Sequence, residues 1–336
     1  MPDKIDVYGI GNVLMDILVR VEEQDIVDLG LSKGTMHLTD GEERDKIVEF
    51  VRNHEAVYSC GGSAPNTTIT LSSLGIPSGL SGKIGHDDFG RKYNARLAEH
   101  GVSSFLAEGN GDTGSSVIMV TPDSERTMNT SLCINSEYSV DNINPEAIRQ
   151  ADYFFFTGYM WDTPSQKAAL LKAIEIAKEA GTKIVFDAAD PFAVRRAEGE
   201  FHKLIEEHFD IVLANAEEAR IMFNGEDPQT AVDHLAGICD IAIVKDGSRG
   251  SIVKSGSEKY IIPVNRVEAV DTTGAGDIYA AGFIYGLCKK WDLQKSGLFA
   301  SYLASQIVTF TGAQFSTDAA SRINAALADG SWDFTK

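Results

Sequence analysis

The stretch "VDTTGAGDIYAAGFIYGL", Val270 to Leu287, places threonines and glycines between Asp271 and Asp277 and then runs into apolar residues. Gly274 and Gly276 allow a tight backbone turn with room beside the amides. A helix that starts there leaves its first N–H groups without intrahelical partners, and its dipole adds positive potential. An anion suits that spot. Asp277 falls in the first turn of the predicted helix, and two roles fit it. It complements the helix dipole, or it serves as a general base toward a hydroxyl attacking a phosphate. In the second role the amides of Gly274, Ala275 and Gly276 stabilise the charge that develops on the transferred group.

Other phosphate-binding patterns are absent or incomplete. No Walker A loop, with its closing Gly-Lys-Ser or Gly-Lys-Thr, occurs in the chain. Tyr279 stands where a dinucleotide fingerprint would need its third glycine. "GIGNVL" has Gly9 and Gly11 after a strand but Leu14 at the third position, and the following "MDILVRV" alternates like a strand. Cys60, Cys133, Cys239 and Cys288 show no zinc spacing and read as buried thiols.

The elements that must hold this turn are short apolar runs: "IDVYGIG", "YFFFTG", "KIVFD", "IVLAN" and "IAIVKDG". They are continuous, as strands buried on both faces should be. Helical patterns lie between them, such as "SQKAALLKAIEIAKEAG", with Gly181 where a C-cap belongs. The alternation predicts an α/β fold with a mostly parallel central sheet and helices on both faces. "MDILVRVEEQ" and "TMHLTD" read instead as short exposed strands joined by a loop, and "GDTGSSVIMVTPDSERTMNT" reads as a hairpin. Together they predict a small sheet over the main domain, its strands inserted at about 13–40 and 103–130.

The formal net charge of the 336 residues is −19. That excludes nucleic acid and anionic membranes as expected partners, and an anionic substrate needs local devices to hold it. The N-terminus lacks a signal-peptide pattern, and no uncharged run approaches the ~20 residues that span a bilayer. The expectation is a soluble, cytoplasmic protein.

"DTTGAGD" closely resembles the C-terminal signature of the PfkB, or ribokinase-like, family of sugar and nucleoside kinases. "GGSAPNTTITLSSLG", Gly61 to Gly75, resembles the N-terminal signature. Smaller matches at "GNVLMD", "NAEE" and "KDGSRG" extend the likeness over one catalytic domain, 1–336. The resemblance implies a three-layer α/β/α ribokinase-like fold carrying a small β-sheet lid. It implies transfer of the γ-phosphoryl group of ATP, with Mg²⁺, to an alcohol, Asp277 being the base and Gly274 to Gly276 the anion hole. It places the acceptor across Gly61, Gly62 and Asn66, with Asp16 accepting hydrogen bonds from paired hydroxyls and Asn12 as a second contact. Asn215 and Glu218 match the motif that orders Mg²⁺ and phosphates, Glu218 through water. Without the likeness, that pair reads as a capping box. Gly247 and Gly250 would make space for adenine and ribose, with Lys245 reaching the nucleotide. Arg126 swings from the lid to the phosphates, or is simply a solvated hairpin residue. Asp271, Gly312 and Ser316 form a candidate K⁺ site.

The opening "GNVLMD" with "LGLSKGTMHL" is similar to the adenosine-kinase branch. Met36, Leu38, Tyr159 and Met160 then form an apolar slot for a purine, or are ordinary core. A ribose or fructose acceptor, or a non-catalytic nucleotide- or sugar-binding role, stays open. The partners expected are a nucleoside or sugar together with ATP, and an exposed lid edge offers a surface for a homodimer.

Overall fold

A computed structural model describes residues 4–123, 125–197 and 199–336. In chain order the strands are β1 (Val7–Ile10), β2 (Leu14–Arg20), β3 (Met36–Leu38), β4 (Ala56–Gly61), β5 (Ser78–Gly85), β6 (Ser103–Gly109) and β7 (Gly114–Val120). They continue as β8 (Arg126–Ser131), β9 (Tyr153–Thr157), β10 (Lys183–Asp187), β11 (Ile211–Asn215), β12 (Ile241–Lys245), β13 (Ser251–Ser255) and β14 (Glu258–Ile262). The large sheet runs β14-β13-β12-β11-β10-β9-β1-β5-β6. From β12 to β6 its neighbours are parallel, and β13 and β14 add an antiparallel edge.

Continuous apolar strands sit here because helices cover both faces. On β9, Phe154 and Phe156 pack toward the helices Pro145–Gln150, Pro164–Ala180 and Glu200–His208. Phe155 points the other way, toward Ser63–Ser73, Ala275–Cys288 and Leu293–Ile307. The Pro164–Ala180 helix is capped by Thr163 and ends at Gly181 in the left-handed conformation, as its sequence predicts. Chain order reverses at β1, which has β5 on one side and β9 on the other. In open α/β sheets the crevice beyond the strand ends at such a point is where ligands bind.

The second sheet has the order β3-β8-β7-β2-β4. The hairpin β7–β8 forms as expected. Three details differ from the sequence reading. β6 lies within the segment assigned to the lid, but pairs in parallel with β5 in the large sheet. β4 lies outside both assigned segments, yet pairs with β2 in the small sheet. Its outward run of Val57, Tyr58 and Ser59 hides the strand period. The segment between β2 and β3 carries the helix Glu23–Asp28, opened by a capping box of Glu22 and Asp25 and anchored by Ile26.

The strand period explains what this sheet presents. Ile17 and Val19 on β2, with Val117 and Met119 on β7, form a small core with Ile47 and Val51. The intervening positions Leu14 and Asp16, Ser116 and Ile118, and Arg126, Met128 and Thr130 face the crevice instead. The expected short exposed strands are thus covered on one face. The four cysteines are free and partly covered. Among the described residues no helix is long and apolar enough to cross a membrane.

Candidate active site

A cleft of about 970 Å³ separates the small sheet from the C-terminal ends of the parallel strands. Asp277 lines it, at the third position of the Ala275–Cys288 helix. Gly274 is the N-cap, with φ of 75°. A side chain there would be strained and would meet Ala313 at 2.6 Å, so the turn needs glycine. The Ala275 N–H makes a long 3.3 Å bond to the Thr272 carbonyl, whereas the N–H groups of Gly274 and Gly276 find no partner among the described residues. The anion hole expected from sequence therefore has two open amides and a third only weakly engaged.

The Asp277 carboxylate is held from behind. Ser63 Oγ donates to its Oδ1 at 2.6 Å and Asn66 Nδ2 to its Oδ2 at 2.9 Å. Thr67 Oγ1 donates to its backbone carbonyl at 3.0 Å. Gln314 Nε2 in turn donates to Asn66 Oδ1 at 2.9 Å and fixes that amide. Burial pushes the Asp277 carboxyl up to about 6, against the pull of the Ser63 and Asn66 bonds. The group is ionised at neutral pH and basic enough to share a proton. Asn66, expected as a substrate contact, lines the cleft and gives one N–H to Asp277 and one lone pair to Gln314, which leaves its second N–H unengaged among the described residues. Ser63, Thr67 and Gln314 are functional neighbours that the sequence reading did not assign. The signal for Ser63 and Thr67 was polar residues one helical turn apart after a glycine pair, whereas Gln314 comes from a distant loop.

Asp16 faces the same cleft and makes no side-chain hydrogen bond among the described residues. Burial, with the charges of Asp277 and Asp271 nearby, pushes its carboxyl up to about 7. A Cβ on Gly61 would lie 2.1 Å from Asp16 Oδ2. Gly61 therefore makes room for this carboxylate across the β2–β4 pair rather than for a ligand. Gly62 is the N-cap of the Ser63–Ser73 helix and lines the cleft. Asn12 joins the ends of β1 and β9, donating to the Tyr159 carbonyl at 3.3 Å and accepting from Gln166 Nε2 at 2.7 Å. Tyr159 lines the cleft, and burial raises its phenol well above the ordinary range. Met160 is core: it is 1% exposed, with its sulfur against Gln166, and does not reach the cleft. The apolar lining comes instead from Leu14, Met36, Leu38, Ile118, Met128 and Leu132.

At the other end, Asn215 and Glu218 close a capping box that also lines the cleft. Glu218 Oε2 accepts from the Asn215 N–H at 2.7 Å and Oε1 from Asn215 Nδ2 at 2.5 Å. The capping box that the spacing allows is therefore formed, and it lies at the edge of the cleft. Burial outweighs the nearby Lys245 charge and pushes the Glu218 carboxyl up to about 8. Lys245 alone does not offset the burial, and a cation arriving with a phosphate ligand would add positive charge there. Among the described residues no group of three or more His, Cys, Asp or Glu side chains is placed to hold a metal. The donor set suits a hard ion that keeps water and phosphate ligands, which Glu218 and Asn215 would help to hold. Gly247 and Gly250 line this end. A Cβ on Gly250 would lie 2.1 Å from the Ile262 carbonyl, so the hairpin's close packing needs glycine there.

Arg126 reaches from β8 to Asp271 at 2.5 Å. Asp271 also accepts from the Thr273 N–H at 2.7 Å and the Gly312 N–H at 2.9 Å. These bonds outweigh burial and hold its carboxyl below the usual range. Ser316 caps the Thr317–Asp329 helix through Ala319. Asp271 thus spends its carboxylate on the Arg126 guanidinium and on the Thr273 and Gly312 N–H groups, while Ser316 Oγ accepts from the Ala319 N–H.

An open amide hole, a buffered carboxylate and a cleft roofed by a second sheet define a phosphotransferase with an alcohol acceptor. A family model described as pfkB family carbohydrate kinase matches residues 29–320, and the chain belongs to that family of sugar and nucleoside kinases. Its fold is similar to that of an adenosine kinase from Sinorhizobium meliloti, with a TM-score of 0.89 and 32% identity over 96% of this chain and 99% of that one. A probable sugar kinase from Rhizobium etli gives a TM-score of 0.90 and 31% identity over 97% and 99% of the two chains. A 5-dehydro-2-deoxygluconokinase of Geobacillus kaustophilus is 30% identical over 74% of this chain and 78% of its own length. Membership of this family implies ATP as the phosphoryl donor, together with a divalent metal.

Proposed function

We propose that the protein transfers the γ-phosphoryl group of ATP to the primary hydroxyl of a nucleoside, with adenosine the favoured acceptor. The observation that carries the chemistry is Asp277, gripped by Ser63 and Asn66 beside the open N–H groups of Gly274 and Gly276. The acceptor hydroxyl gives its proton to the Asp277 carboxylate as its oxygen bonds to phosphorus. The bond from phosphorus to the β,γ-bridging oxygen breaks, and ADP leaves with that oxygen. The amides stabilise the charge on the peripheral oxygens. Asp277 then returns its proton to solvent.

The nucleoside reading rests on the roof of the cleft. Asp16, with no partner of its own, is an acceptor for a diol. Leu14, Ile118, Met128, Leu132 and Met36 surround it with apolar surface suited to a flat base. A free sugar would leave hydroxyls unmatched there, at about 1–3 kcal/mol each. Ser116 and Thr130 in the same roof favour the second reading, a sugar acceptor, as does the likeness to a 5-dehydro-2-deoxygluconokinase.

The test is ATP consumption with adenosine, inosine, ribose and fructose, each against a no-acceptor control. Stimulation by adenosine or inosine at low concentration supports the proposal. Stimulation by ribose or fructose alone moves the assignment to a sugar. No stimulation, with ATP still raising the melting temperature, would mean a binding protein on this scaffold.

A further inference from the structure

Lys245 ends β12 and turns toward the amide hole. Its Nζ donates to both carboxylate oxygens of Asp187, at 3.0 and 2.7 Å. A Cβ built on Gly276 would lie 3.3 Å from that nitrogen, so the ammonium sits against the open amide of the turn. An ammonium has three N–H donors. Two face Asp187, and the third has no partner among the described residues. The lysine side chain is 13% exposed and lines the cleft with Gly274, Gly276 and Asp277. Asp187 is 2% exposed and stands behind it, outside the lining.

The sheet explains this arrangement. Asp187, Asn215 and Lys245 close the C-terminal ends of β10, β11 and β12, which are adjacent and parallel. Asn215 stands opposite Lys245 in register. The long lysine side chain spans the β11 end and meets a carboxylate too short to enter the cleft. Burial by itself would strip the lysine of its proton. The charges of Asp187, Glu218 and Asp277 outweigh burial and keep it protonated. The result is a fixed cation with one donor unused, facing the place where a transferred group would sit.

We infer that Lys245 is a catalytic residue that binds the phosphoryl group in flight, and that Asp187 is the positioning residue holding its ammonium beside Gly276. The inference rests on the phosphotransfer reading above. It moves Lys245 from the nucleoside end of ATP, where its neighbours Gly247 and Gly250 lie, to the reacting end. No covalent bond changes at the lysine: its third N–H donates to a peripheral oxygen of the phosphoryl group while phosphorus passes from the bridging oxygen to the acceptor oxygen. That donor joins the amides and acts most strongly when charge spreads over those oxygens. A pair that merely neutralised a buried acid would matter for stability and not for the reaction.

The test compares Lys245→Met, Lys245→Arg, Asp187→Asn and the double variant Asp187→Asn/Lys245→Met. Losing one partner leaves a buried charge unpaired, whereas the double variant removes both and should stay folded. Steady-state kinetics are read alongside calorimetric binding of ADP and a non-hydrolysable ATP analogue. We expect kcat to fall about 100-fold in Lys245→Met and in the double variant, as when one oxyanion donor is removed. The acceptor KM should move less than about 3-fold, because the acceptor touches neither residue. The preference for the triphosphate analogue over ADP should shrink about tenfold in Lys245→Met and in Asp187→Asn, and survive in Lys245→Arg, which keeps the charge. A double variant with near-native kcat would overturn the inference. So would variants that lose melting temperature while keeping the native preference for the analogue over ADP. If the native protein phosphorylates none of the acceptors tried, the acceptor reading fails, and the binding preference still decides the role of Lys245.

Discussion

Asp277 and Asp16 face one cleft and both are raised by burial, yet among the described residues only Asp277 has side-chain partners. Asp277 is rooted in a helix N-terminus and gripped by residues of the neighbouring Ser63–Ser73 helix. Asp16 stands on a strand of the small sheet with only Gly61 beneath it. A proton acceptor must hold one orientation, and the chain supplies bonds that fix it. A substrate anchor must keep its lone pairs free, and the chain withholds donors until hydroxyls arrive. Stability and function therefore pull in opposite directions at Asp16 and together at Asp277.

Asp16→Asn is the largest break in that contrast. Loss of charge-assisted bonds to a diol, about 1.5–3 kcal/mol each, should raise the acceptor KM about 100-fold and leave the KM for ATP alone. The same change should stabilise the ligand-free protein. A carboxyl raised to about 7 holds its proton more tightly folded than unfolded. Its favourable contribution is complete below the unfolded value, near 4, and is lost as pH rises through about 7. Thermal melts should show Asp16→Asn more stable than the native chain at pH 8, with a clearly smaller gain at pH 5. Equal melting temperatures at both pH values would mean that Asp16 has a partner in solution.

Ser63→Ala and Asn66→Ala sharpen the other side. Each should lower kcat roughly 10- to 50-fold, a fraction of the full contribution of a general base. Both bonds favour the ionised carboxylate, so the acid limb of kcat/KM, expected near 6, should move upward in each variant. A pH–rate profile checks the direction, and a limb that stays in place would free these residues of the role. The smallest effect belongs to the apolar roof. Met128→Ala and Ile118→Ala should each raise the nucleoside KM by about 5- to 10-fold through lost apolar burial. Ribose turnover should change less, and equal loss for both acceptors would argue against a base in that slot.

Asp277 and its glycine turn were legible because their chemistry is local: a fixed spacing at the start of an apolar helix. The parallel core was legible from apolar runs that needed cover on both faces. What stayed hidden depends on distant parts of the chain meeting. Ser63 and Asn66 reach Asp277 across separations of 214 and 211 residues. The need for glycine at position 61 appears only when β4 pairs with β2 and brings Asp16 over it. Met160 fits a slot or the core equally by sequence, and the short 3₁₀ turn Gly158–Trp161 turns it into the core. Arg126 and Asp271 read as separate sites, and only the closed arrangement of the sheets joins them.

The account stands on Asp277 as the group that takes the acceptor's proton. Its most direct test is Asp277→Asn, an isosteric change that keeps the amides and the fold while removing the charge. Turnover should fall about 10³-fold or more, with ATP affinity by calorimetry within about 3-fold of native. Turnover close to that of the native protein, with ATP bound as before, would contradict it.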